Sequence, residues 1–102
     1  MGHDGVLVHN ACDGTWVEGG RGSGEANAYH HFEKHGTEVG ARNVTDYMAK
    51  AKNFGNTILQ KRIKGHFISG YTSGTYRYYY NGKYIDLANK MGVHKIVSFG
   101  KV

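Results

Sequence analysis

The spacing of apolar and polar positions changes character twice along the chain. Residues 1–24 have no period. Glycines at 2, 5, 14, 19, 20, 22 and 24 break them up, so the stretch reads as a flexible linker. One short apolar run, Val6-Leu7-Val8, interrupts it and ends in His9-Asn10. Residues 25–35 then show helical spacing. Ala28 and Phe32 stand four apart and Tyr29 and Phe32 three apart, which predicts a shared buried face. His31 and His35 fall on a second face of the same helix. Glu25 suits the start of this helix, and Gly36 suits its end. A loop over 37–43 follows. A second amphipathic helix is predicted over 44–59, where Val44, Tyr47, Met48, Ala51, Phe54 and Ile58 recur at three and four. Asn43 or Thr45 can cap it, and Gly55 is expected to end or loosen it.

Beyond residue 65 the period becomes two. Residues 66–71 are a candidate strand, and 74–80 are a stronger one, dense in Thr and Tyr. Asn81-Gly82 predicts a tight type I′ hairpin turn, since that turn needs positive φ twice. Residues 83–87 return, 89–92 turn again, and 93–99 close the sheet. The predicted architecture is α+β: two N-terminal helices on one face of an antiparallel sheet of about four strands. The other face would stay open for a ligand.

Strict alternation places Thr75, Arg77 and Tyr79 on one face of their strand, and Tyr76, Tyr78 and Tyr80 on the other. On the last strand it sets Lys95, Val97 and Phe99 opposite His94, Ile96 and Ser98. At 102 residues the chain suits one domain with one modest core. The lone Cys12 excludes an internal disulfide and reads as a free thiol in a mobile region. No apolar run approaches the roughly 18 residues of a membrane span, and residues 1–10 do not read as a signal peptide.

Net charge is +5, and the positive field is concentrated late. Residues 64–102 set Lys64, Arg77, Lys83, Lys90, Lys95 and Lys101 against Asp86 alone. Such a field suits a phosphate backbone, although it also serves solubility. Tyrosines on an open sheet can stack unpaired bases.

The titratable chemistry is densest at Tyr29-His30-His31-Phe32-Glu33-Lys34-His35. Cleaving an RNA phosphodiester without metal needs a group that takes the ribose 2′-OH proton. It also needs a donor to the leaving 5′-oxygen and cations for the phosphorane. His35 and Lys34 on the helix, with Arg77 and Ser98 on strands, meet that need as catalytic candidates. His31, Thr75, Tyr79, Lys95 and Phe99 are the candidate substrate contacts around them. His31 and His35 could also share a zinc ion, but Glu33 is not where a zinc protease places its base and no spacing selects a third ligand. No glycosidase-type carboxylate pair, nucleophile elbow or P-loop is present.

The motif Lys34-His35-Gly36-x-Glu38-x-Gly40, then Thr45-Asp46-Tyr47 and residues 49–54, resembles the opening of the colicin D-like tRNase toxins. These belong to the wider barnase, EndoU, colicin and RelE-like group of nucleases. Gly74-Thr75-Tyr76-Arg77 resembles the first sheet motif of that family, and Ile96-Val97-Ser98-Phe99 resembles its closing strand. Upstream, Val8-His9-Asn10 is similar to the end of the self-cleaving modules that precede toxin domains in large bacterial export proteins, of the Rhs or contact-dependent inhibition kind.

The resemblance implies a nuclease toxin domain over 25–102, behind a linker that keeps a remnant of such a module. It implies cleavage without metal or other cofactor, a 2′,3′-cyclic phosphate product and tRNA as substrate. A cognate immunity protein would be the partner. The domain would be secreted or delivered by contact and would act in the target-cell cytoplasm. His35 would be the acid/base and Lys34 a phosphate-stabilising cation, with Arg77 and Ser98 lining the cleavage site. Phe99 departs from the Trp that such sequences can carry, and the loop 36–43 is short. A metal-dependent DNase and a nucleic-acid-binding module without catalysis are the alternatives.

Overall fold

Two side chains start the two helices. In the computed structural model, which describes residues 12–18, 22–69, 74–90 and 92–102, Ser23 Oγ accepts from Ala26 N ahead of helix α1, Gly24–His35. Asn43 Oδ1 accepts from Asp46 N ahead of helix α2, Val44–Gln60. Asp46 Oδ2 reaches back to accept from Arg42 N, so two amides at the start of α2 are satisfied reciprocally. A 3₁₀ turn, Thr37–Val39, joins the helices.

The strands are β1 (Cys12–Trp16), β2 (His66–Phe67), β3 (Thr75–Tyr80), β4 (Lys83–Lys90) and β5 (Val93–Lys101), in the sheet order β1-β5-β4-β3-β2. The turn between β3 and β4 has positive φ at both Asn81 and Gly82, as its sequence predicts.

The α+β class holds, with corrections in detail. The sheet has five strands and is mixed, because β1 runs parallel to β5 while the other pairs are antiparallel. A strand therefore precedes the two helices, inside the stretch that reads as linker. Cys12 is not a mobile thiol: it is buried in the core, and burial pushes its pKa up. The remnant at Val8-His9-Asn10 lies outside the described residues. The strand expected over 66–71 is two residues long in the described part. Gly55 does not end α2. It sits buried mid-helix, where a Cβ would come 3.0 Å from Cys12 Sγ, so its missing side chain lets β1 and α2 approach closely.

The main core lies between α2 and one face of the sheet. Tyr47, Ala51 and Ile58 of α2 meet Ile85, Leu87, Ile96 and Phe99, with Cys12 and Trp16 of β1. Ala28 and Phe32 of α1 join the same cluster, whereas Tyr29, expected on that buried face, is exposed.

The last pairing of β1 with β5 is Trp16 with Ile96, followed by Val17 N donating to Ile96 O. Past that point no strand among the described residues lies beside the outer edge of β5, and unpaired edge groups are costly when buried. Side chains take over. Asn27 Nδ2 donates to Val97 O, the Tyr47 hydroxyl donates to Phe99 O, and Lys101 N donates to Glu38 Oε1. Helix α1 and the 3₁₀ turn thereby lie along this edge, and α1 reaches the sheet face that α2 leaves uncovered. Among the described residues, no helix is long and apolar enough to cross a membrane.

Candidate active site

That uncovered face carries the chemistry. Register pairs Arg77 with Asp86 and Tyr79 with Tyr84 across β3 and β4, and Asp86 with Ser98 and Tyr84 with Gly100 across β4 and β5. Paired residues point to the same side, so Arg77, Tyr79, Tyr84, Asp86 and Ser98 share a face. From the β5 edge, α1 adds His31 and His35 to it. The Tyr84 hydroxyl and Ser98 Oγ are hydrogen-bonded at 2.9 Å, and Ser98 Oγ lies 3.3 Å from His31 Nδ1. The His35 ring meets Tyr84 edge-on at 6.2 Å between centroids and stacks on His31 at 6.0 Å.

His35 is held in place from its other side. Its Nδ1 is 3.0 Å from Glu38 Oε1, one 3₁₀ turn away. This bond holds the Glu38 carboxyl below the ordinary carboxylate range, so Glu38 is a persistent anion facing the imidazole. With Nδ1 committed, Nε2 is the nitrogen left to exchange a proton. Gly100 makes the approach of helix to sheet possible. A Cβ there would lie 2.9 Å from Tyr84 Cε1 and 3.1 Å from His35 Nδ1.

Arg77 is committed too. Its Nε and Nη2 donate to Asp86 Oδ1 and Oδ2 at 2.7 and 2.9 Å, a bidentate fork onto a fully buried carboxylate. The guanidinium also covers the Tyr84 ring, with Cζ 4.2 Å from its centroid. The Asp86 bonds, and after them Tyr79, keep it fully protonated. Burial raises the Tyr84 pKa, so its hydroxyl stays neutral at physiological pH.

The structure thus brings together His35, His31, Arg77 and Ser98, with Tyr79 alongside. It does not do so for the rest of the expected site. Thr75 is fully buried, so it is not a substrate contact. Phe99 is buried too, packed on Tyr47 and Phe54, because a bulge opposite Asp86 and Leu87 breaks the alternation and turns Phe99 to the core side with Ile96. Lys95 lies toward β1, lining a cavity of ≈ 370 Å³ with Thr15, Trp16, Glu25 and Met48. Lys34 is exposed on α1, next to His35 in sequence.

Tyr84 and Asp86 are central here, and the sequence reading gave them no role. The Lys-Tyr-Ile-Asp-Leu alternation of their strand was the available signal, since it sets a Tyr and an Asp on Arg77's face. Neither this cavity nor another of ≈ 310 Å³ beside Lys50, Lys83 and Phe99 includes the cluster. Within the cluster Tyr84, Asp86 and Ser98 are buried, and Tyr79, Arg77 and His35 reach solvent. Among the described residues, no group of three or more His, Cys, Asp or Glu side chains is placed to hold a metal ion.

Comparison with known protein families, with curated proteins and with solved structures finds no match for this chain.

Proposed function

We propose that this chain is an endoribonuclease that cleaves RNA by attack of a ribose 2′-hydroxyl on the adjacent phosphate. The observation that carries the reading is the placement of His35. It is anchored through Nδ1 on Glu38 and set edge-on to Tyr84, whose ring carries the Arg77 guanidinium and whose hydroxyl holds Ser98. An imidazole with one ring nitrogen free of Glu38 thereby stands beside a fixed cation and two hydroxyls.

In this mechanism His35 Nε2 takes the proton from the 2′-hydroxyl as the 2′-oxygen bonds to phosphorus. The bond from phosphorus to the 5′-oxygen breaks, and that oxygen leaves with a proton returned by the imidazole. The product is a 2′,3′-cyclic phosphate. Glu38 stabilises the imidazolium formed midway. Arg77 faces the phosphorane, and Ser98 and Tyr84, buried and hydrogen-bonded to each other, hold the His31 and Arg77 side chains around it. Lys34, exposed beside His35, adds positive charge for the phosphate, and His31 orients Ser98.

The choice of tRNA, the delivery as a bacterial toxin and a cognate immunity protein rest on the resemblance in sequence alone. The chemistry above needs neither metal nor cofactor. Incubation with total RNA and with plasmid, each with and without EDTA, tests the reading. RNA cut in EDTA supports it. DNA nicked only with divalent metal would replace it with a DNase, and retention without cutting would replace it with a binding module.

A further inference from the structure

We propose that His66 and Tyr79 form a stacking subsite for an unpaired nucleobase next to the scissile linkage, a proposal that rests on the ribonuclease reading. His66 pairs in register with Arg77, so it faces the same side of the sheet as Arg77 and Tyr79. The His66 and Tyr79 rings lie 5.7 Å apart at 56°. Both are exposed, Tyr79 to 46%. Tyr79 is also the register partner of Tyr84, which places their Cα atoms roughly 5 Å apart across one strand spacing. The row His66, Tyr79, Arg77, Tyr84, His35 is therefore continuous, with the cation in its middle and the proton carrier at one end.

A phosphate held at Arg77 and His35 leaves one flanking base over Tyr79. Aromatic faces accept any base by stacking. A second exposed pair, Phe67 and Tyr76, has rings 5.7 Å apart but faces the opposite side, away from His35. It serves as an internal control.

The test uses a single-stranded RNA that the wild-type protein cuts at a mapped position, made uncleavable by a 2′-O-methyl group there. 2-Aminopurine is placed in turn on each side of the cut. In wild type, fluorescence is quenched at one flanking position. Tyr79→Ala abolishes the quenching and weakens binding on the order of tenfold. His66→Ala weakens it less, and Tyr76→Ala leaves it unchanged. Thermal melts confirm that these surface variants fold. Quenching that survives Tyr79→Ala, or that Tyr76→Ala removes equally, overturns the subsite while RNA cleavage dependent on His35 leaves the ribonuclease reading standing. A wild-type protein that neither binds nor cuts RNA overturns both.

Discussion

Replacing Arg77 with alanine strands a carboxylate. Asp86 is fully buried, whereas the Arg77 side chain is 27% exposed, so the two partners are not equivalent. Removing one member of a buried pair costs roughly 3–5 kcal/mol, because the survivor is left uncompensated. Water reaches the pair from Arg77's side, which puts Arg77→Ala near the lower end, about 3 kcal/mol. Asp86→Ala is cheaper, about 1–2 kcal/mol, because the freed guanidinium can turn to solvent and still cover Tyr84. A domain of this size has roughly 5–10 kcal/mol of stability, so both variants fold at 25 °C. The Arg77→Met/Asp86→Leu double variant recovers most of the loss, since it leaves no orphan charge. Urea denaturation at neutral pH measures all three. An Arg77→Ala cost under about 1 kcal/mol, or one smaller than that of Asp86→Ala, refutes the reasoning. The cycle also protects the functional argument. An inactive Arg77→Ala can simply be a weakened fold, but a well-folded double variant without activity assigns the lost guanidinium to the chemistry.

Two further predictions concern the anchoring of His35. Gly100→Ala drives a methyl group into the rings of Tyr84 and His35; it costs roughly 1–3 kcal/mol and lowers kcat by more than the stability loss explains, read from a melt and a cleavage assay on the same sample. Glu38 has a carboxyl held low by its bond to His35, so its contribution to stability is complete above the unfolded carboxylate pKa and fades as pH falls through the folded one. Wild type and Glu38→Gln should then differ most near neutrality and converge in acid; a difference that grows in acid contradicts this sign.

The local elements were legible because their signals are local. Asn81-Gly82 fixed its turn, and the three-and-four spacing of Tyr47, Ala51 and Ile58 marked the helix that covers the core. His35, Arg77 and Ser98 could be nominated by residue type. What joins them could not, because Tyr84 acquires its role only from a register that sets it opposite Gly100 and beside Arg77. Strand β1 escaped notice for a related reason. Cys12-Asp13-Gly14-Thr15-Trp16 contains a glycine with φ 86°, has no alternation, and pairs with a strand at the far end of the chain. Phe99 and Ser98 show the cost of assuming strict alternation, since one bulge reverses the parity that follows it.

The central claim is that the His35 ring moves the proton of a ribose 2′-hydroxyl. The most direct test is a short RNA with a single cut site, compared with the same RNA carrying one 2′-deoxyribose at that site, against wild type and His35→Ala in EDTA. The account predicts a 2′,3′-cyclic phosphate end from the first RNA, no cleavage of the second, and a loss of at least a hundredfold in kcat for the variant. Cleavage of the deoxy-substituted RNA at that bond, or a His35→Ala variant as fast as wild type, contradicts it.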